Sequence, residues 1–335
     1  MEKIIECTFC DGEAKLQHEK KDISYRKEDF CINQYYYKCE KCGEEFTTDK
    51  VDENALLQVH NQYRTKHTIP FVYEIIETRE KYGLSAARMN EILGMGANSY
   101  SNFEKGDIPS SAIATLLTLA DNPSIFKEMA SSKKELFNAR AFDELIAKID
   151  RLIIKEGESR LVRIDYESKP SSLNGFRVAS MERIASILCY FLSTCKRDFN
   201  DKLKLNKMLF YTDFIGYQNN GQSLSGLSYR AIQHGPAPSF YDALFTYLQA
   251  GKYIDAEWEE SPNRGAVQIF VPSTASDLEL FSDSEKEIIY FIQTKFKDTP
   301  SWDLRNKSHD ALGWLECHPN KEIIDYQKYA YSLAL

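Results

Sequence analysis

The chain has 335 residues and a mass of 38.7 kDa, with 43% hydrophobic and 27% charged residues, 15 Gly and 10 Pro. That balance excludes the disordered and fibrous classes, and at roughly 100–200 residues per domain it predicts two or three domains. A net charge of −8 and a pI near 5.5 exclude a general coating of nucleic acid, because the overall field repels phosphate and any contact must come from a local patch. Residues Met1 to Cys7 lack the apolar core of a signal peptide and no apolar run is long enough to span a bilayer, so we expect a cytoplasmic protein with no membrane partner.

Residues 1–66 are polar, cysteine-rich and strand-like, and predict a small β-rich zinc-binding module. Cys7-Thr8-Phe9-Cys10 and Cys39-Glu40-Lys41-Cys42 are two CxxC knuckles separated by 28 residues. Each knuckle turns two thiolates to one side, and together they supply the four sulfurs of a tetrahedral site. Gly12 and Gly43 follow where the chain must turn. With all four positions filled by protein, no site is open for water, so the expected Zn²⁺ is structural. Free thiols or a disulfide are the alternative, and Cys31 and His18 are spare ligands outside the knuckles.

Residues 67–130 predict an all-α helix-turn-helix domain. A helix over 70–82 ends at Gly83, Ser85 caps a second over 86–93, Gly94-Met95-Gly96 makes the turn, and a third over 98–105 ends at Gly106. The third helix would present Asn98, Ser99, Ser101 and Asn102 to base edges, with Lys105 at its end, while Tyr100 and Phe103 pack beneath. Between Ile69 and Lys127 there are five basic and seven acidic residues. DNA affinity would therefore need the avidity of a dimer, and a helical bundle for protein contacts is the alternative.

Residues 131–178 predict a linker. Leu136, Leu145, Ile149 and Leu152 form a narrow stripe suited to a linker helix or a dimer contact, and 165–177 is a turn-rich interdomain segment. From residue 179 to 335 the pattern predicts a mostly helical domain with a small sheet. Ser180 caps a helix carrying Ile184, Leu188 and Phe191; a second begins near Asp201 and stops at Gly221; strands are expected at 229–233, 253–258 and 267–271.

Two resemblances follow from these residues. The knuckle pair with Ile69-Pro70-Phe71, Tyr82-Gly83-Leu84-Ser85, Leu93-Gly94-Met95-Gly96-Ala97-Asn98-Ser99-Tyr100 and Phe103-Glu104-Lys105-Gly106 resembles the MqsA/YgiT-type antitoxins over about 1–130. That likeness implies a zinc module and a Cro/repressor-like helix-turn-helix that dimerises and binds the operator of its own operon. The base-contacting Asn of that family falls on Asn98, and its Arg position is Asn102 here. In that family the zinc module itself contacts toxin.

Lys204-Leu205-Asn206-Lys207-Met208-Leu209-Phe210-Tyr211, then His234-Gly235-Pro236-Ala237-Pro238, then Ser308-His309 with Trp314, is similar to the Panacea (SocA-like) domain over about 181–333. This implies neutralisation of a protein toxin by direct binding and, in one branch, a role as protease adaptor. The whole reads as a multidomain α+β antitoxin of a type II toxin-antitoxin system. The alternative is a stand-alone DNA-binding transcriptional regulator whose last domain senses a ligand or partner.

The aromatic residues Tyr190, Tyr211, Phe240, Tyr241 and Phe245 read as core, with an exposed subset as anchors. Tyr211, His234, Pro236 and Tyr241 are the candidate toxin-facing residues. His234, His309 and His318 beside Cys317 invite an enzymatic reading, but there is no metal-spaced acid cluster, nucleophile elbow or phosphate loop, and we expect no enzyme.

Overall fold

The computed structural model describes residues 1–159, 169–197, 200–261 and 265–335. The chain is mixed α+β and divides into two compact units, Met1–Val59 with Tyr166–Leu335, and His60–Asp165.

The first unit begins with an antiparallel sheet of β1 (Ile4–Glu6), β2 (Glu13–Tyr25), β3 (Glu28–Cys39) and β4 (Glu45–Phe46), in that spatial order. β2 and β3 form a long hairpin in register from Tyr25↔Glu28 to Ala14↔Cys39. Its turn residues Arg26 and Lys27 both have positive φ, as a two-residue turn matched to strand twist requires.

The strand-like reading of 1–66 holds through Phe46 and then fails, because residues 49–67 form helix α1 (Asp49–His67). Its buried face carries Val51, Ala55 and Val59 at successive turns, but Asn54 and Gln58 share that face. Two amides in the stripe erase the apolar periodicity that marks a helix in sequence. Those amides replace apolar contact with hydrogen bonds. The Gln58 side chain accepts from the backbone N–H of Asn33 at 2.9 Å and donates to its carbonyl at 2.9 Å, so it seals the open edge of β3 as a partner strand would.

The C-terminal segment builds around α9 (Lys202–Asn220), which is buried on nearly every side between α8 (Met181–Thr194) and α11 (Asp283–Phe296). The expected caps are present: the Ser180 hydroxyl accepts from Arg183 N–H, the Asp201 carboxylate accepts from Lys204 N–H, and Gly221 closes α9 at φ 66°. Asp213 at its centre accepts hydrogen bonds from the N–H groups of Leu224 and Ser225 and from the Ser225 and Tyr229 hydroxyls.

Around α9 lie the hairpin β5 (Tyr229–Ile232) and β6 (Gly235–Pro238), α10 (Tyr241–Ala250), the hairpin β7 (Ile254–Ser261) and β8 (Gly265–Pro272), α12 (Ser301–Ser308), α13 (Leu312–Cys317) and α14 (Tyr326–Tyr329). Gly235 to Pro238, which reads in sequence as the end of a strand, is itself β6. Its two prolines are tolerated because the N–H of Ala231 and the carbonyl of Tyr229, their register partners on β5, bond residues 322 and 324 on the opposite side.

Two further expectations change. The turn-rich segment after Lys169 is packed and not exposed: Asn174, Phe176 and Arg177 are buried, and Arg177 donates to the Ser223 carbonyl at 2.8 Å. Residues 160–168 of the expected linker lie outside the described residues. The four-cysteine head is also no free-standing domain. His18 bonds the Tyr331 carbonyl at 3.0 Å, the Asn33 side chain donates to the Gln327 carbonyl of α14 at 3.2 Å and the Gln327 side chain to the Cys31 carbonyl of β3 at 3.0 Å, and Asn54 donates to the Gln218 carbonyl at 3.2 Å.

The second unit packs α2 (Val72–Tyr82), α3 (Ala86–Leu93), α4 (Ser99–Glu104), α5 (Ser111–Asp121), α6 (Pro123–Ser131) and α7 (Ala139–Ser159) around Ile75, Met89, Ile92, Tyr100 and Phe126. Tyr82 stacks on Phe126 with centroids 3.9 Å apart. The stripe expected to serve a linker or dimer contact is absorbed here, since Leu145 and Ile149 lie within this core and Leu136 and Leu152 pack against it.

Candidate metal centre and partner-facing surfaces

The knuckles are built alike. The N–H of Cys7 donates to the Gly12 carbonyl and that of Cys39 to the Glu44 carbonyl, while Asp11 and Gly43 donate back to the carbonyls of Cys7 and Cys39. A side chain at Gly12 would strike Lys41, its Cβ lying 2.8 Å from that of Lys41, so the two turns can close only over a glycine. The four Sγ atoms of Cys7, Cys10, Cys39 and Cys42 lie within 4.8 Å of one another. A tetrahedral ion with metal–sulfur bonds of about 2.3 Å needs sulfurs about 3.8 Å apart. Cys7 and Cys42 are separated by 3.8 Å and Cys10 and Cys39 by 3.5 Å.

The donor set therefore fits a metal ion with four sulfur ligands. The N–H of Cys42 and of Lys41 point at the Cys39 sulfur and pull that thiol down to about 6, toward the thiolate a metal requires. His18 is occupied by Tyr331, and Cys31 sits on β3 outside the cluster.

In the helical unit the local signals produce the predicted geometry. Gly83 and Gly94 end α2 and α3 at φ 70° and 65°, and Ser85 caps α3 by accepting from the Arg88 N–H. Asn90 accepts the Tyr100 N–H at 2.8 Å, and the Tyr100 hydroxyl donates to the Ile75 carbonyl at 2.7 Å, which fixes α4 against α2 and α3. Asn98, Asn102 and Lys105 are exposed, Ser99 and Ser101 half-buried, and Tyr100 and Phe103 turn inward. Glu104, the one acid on α4, is paired with Arg79 of α2 at 2.5 Å.

The third cluster surrounds the Gln233-His234 turn between β5 and β6. Gly235 has φ 86°, and a Cβ there would collide with Ser308 Oγ and lie 2.9 Å from Lys207 Cε and 3.2 Å from His309 Cδ2. Lys207 and His309 thus meet beneath the turn. Lys207 donates to the Pro236 carbonyl at 2.6 Å, and burial pushes its ammonium down to about 7, with Arg305 adding repulsion. His309 stacks on Trp314 at 3.9 Å, and burial, then Arg305, Lys207, His318 and His234, lower it to about 4. Trp314 is anchored through its indole N–H to the Ile232 carbonyl at 2.8 Å.

Of the candidate toxin-facing residues, Tyr211 and Pro236 are buried and cannot meet a partner directly; Tyr211 packs on Phe296 inside the core. His234 is exposed and Tyr241 half-buried. Phe240, read as core, is 57% exposed at the start of α10 with φ 58°, and Trp302 on α12, which the sequence reading passed over, is 55% exposed. The positive φ of Phe240 costs a bulky residue about 1 kcal/mol or more, a strain that sequence does not display.

No helix among the described residues is long and apolar enough to cross a membrane. Residues 5–130 match the family described as the antitoxin component of bacterial toxin-antitoxin systems, MqsA. Residues 205–315 match the antitoxin SocA-like, Panacea domain. The chain joins both antitoxin types in one polypeptide. No curated protein matches it.

Proposed function

We propose that this fusion of an MqsA-type segment and a Panacea domain is a non-catalytic cytoplasmic antitoxin that binds and blocks a cognate protein toxin. As a homodimer it also represses its own operon through α4. The ion at the four cysteines is zinc and serves to hold the head in shape. The observation that carries the repressor half is the sidedness of α4 and its caps: Asn98, Asn102 and Lys105 are exposed, while Tyr100 is buried, Phe103 packs against the core and the one acid is paired with Arg79. Asn reads adenine through two hydrogen bonds, worth about 1–3 kcal/mol each time the base is correct.

For neutralisation we favour the C-terminal domain, with His234, Phe240 and Trp302 as the contact residues, because exposed aromatic side chains supply most interface energy. A cleft of about 910 Å³ lined by Leu16, His18, Tyr35, Ile215, Phe291 and Tyr331 joins the head to this domain, so segments of both antitoxin types border one concavity.

The test is co-expression of the full chain with the product of the adjacent reading frame, read beside binding of the chain to its own upstream DNA. Phe240→Ala with Trp302→Ala should abolish rescue of growth and leave DNA binding intact. Asn98→Ala with Asn102→Ala should do the reverse, weakening DNA binding by at least about tenfold. Growth arrest that the unaltered chain fails to relieve, or DNA binding indifferent to both Asn substitutions, would refute the corresponding half.

A further inference from the structure

We propose that the cleft between the head and the C-terminal domain is a binding site for an amphipathic small molecule, one with an apolar body and a single anionic group. Head and C-terminal domain belong to the same compact unit, and the cleft they enclose has a volume of about 910 Å³. Pockets that hold small molecules span about 300–1,000 Å³ and are mostly apolar with a few placed polar groups. One wall is a face of α11: Ser284, Glu287, Ile288 and Phe291 line the cleft at i, i+3, i+4 and i+7, the spacing of a single helix face. Apolar side chains from both sides are left open to water there. Ile4 of β1 is 50% exposed and Phe291 is 45% exposed. Single exposed apolar residues are ordinary, but these two share one concavity with Leu16, Tyr35 and Ile215, so an apolar body entering it would be covered from both sides.

The charge of the site comes from the head. Lys3, Lys15 and Lys50 line the cleft against one acidic side chain, Glu287, in a chain whose acids outnumber its Lys and Arg by 50 to 42. Lys15 is already paired with Glu40. Lys3 gives one of its three N–H bonds to the Leu335 carbonyl at 3.1 Å and keeps two. Lys50 is exposed in the first turn of α1 and has no ion pair among the described residues. His18 is held by the Tyr331 carbonyl and is not needed for charge. Two ammonium groups thus stand beside an apolar floor, which suits a negative head group on an apolar body. Glu287 opposes a second negative charge, and for that reason the site suits a monoanion.

The site does not rest on the antitoxin reading, and it is tested apart from growth rescue. The full chain is titrated calorimetrically with sodium decanoate below its micelle concentration, and in parallel with decyl sulfate, decyltrimethylammonium and acetate at matched ionic strength. We expect saturable binding of one decanoate or decyl sulfate per chain, at least about fivefold tighter than the cation of equal chain length, with acetate too weak to saturate. The better of the two anions tells a carboxylate head from a sulfate- or phosphate-type one. Phe291→Ala should weaken binding about fivefold or more, whereas Tyr290→Ala, one residue away, 42% exposed and outside the lining, should leave it unchanged. Lys3→Glu with Lys50→Glu should remove the preference for an anion. All four side chains are exposed, so the variants keep the fold. Failure of both anions to saturate, equal binding of the cation, equal affinities in Phe291→Ala and Tyr290→Ala, or a preference for anions that survives the charge reversal would overturn the site.

Discussion

Replacing Gln58 by Leu tests whether a single amide joins α1 to the sheet. The substitution keeps the side-chain volume and removes three hydrogen bonds of 2.9 Å, two to the Asn33 backbone and one to Asn54. Gln58 is 1% and Asn33 8% exposed, so water cannot replace the lost partners. Leaving the Asn33 N–H and carbonyl unpaired costs about 1–3 kcal/mol each. The added apolar burial of Leu returns about 1–2 kcal/mol. The net expectation is a loss of about 2–3 kcal/mol, and at most about 5 kcal/mol, from the first unit.

The assay is denaturant unfolding of the metal-loaded full chain followed by tryptophan fluorescence. All three tryptophans, Trp258, Trp302 and Trp314, belong to the first unit, so the signal does not mix with unfolding of the helical unit. Leu57→Gln, one residue away and 40% exposed, is the control and should stay within about 0.5 kcal/mol of the parent. A Gln58→Leu midpoint no lower than that control would mean that something other than this amide seals the edge of β3.

Native mass spectrometry should find zinc bound to the chain and none bound to Cys39→Ser; acidification should release it, because protonated thiols do not ligate. The head, in which small zinc modules gain about 10–16 kcal/mol from their ion, should then lose amide protection in β2 and β3. Ile149→Ala should destabilise the helical unit by about 2–5 kcal/mol in far-ultraviolet circular dichroism without changing the elution volume, whereas a shift toward monomer would mean that α7 pairs subunits. Lys207 is lowered to about 7 from its ordinary 10.5, so the folded state binds fewer protons than the unfolded chain between those values and stability rises with pH across that window. The parent should gain up to about 4 kcal/mol relative to Lys207→Met from pH 7 to 10, and parallel pH profiles would show that Lys207 is not held neutral.

Signals that act within a few residues were legible in the sequence. The two knuckles, the caps at Ser85, Ser180 and Asp201, and the glycine stops at Gly83, Gly94 and Gly221 depend on backbone conformations and hydrogen bonds that neighbouring residues dictate. They located the helices α2 to α4, the four-cysteine cluster and the central helix of the last domain. The inward turn of Tyr100 and the outward turn of Asn102 on α4 followed from the same short-range periodicity.

Burial against distant partners lay beyond such signals. Helix α1 escaped notice because its stripe is completed by amides whose acceptors and donors lie on β3 and α9. The head joins the C-terminal domain through contacts such as His18 with Tyr331, whose sequence separation of 313 no local pattern can encode. Tyr211 within α9 and Phe240 at the cap of α10 are both aromatic, yet one is core and the other is surface. Apolar character states that a side chain is better off out of water, but which face of the assembled fold supplies the cover depends on elements far away in the chain.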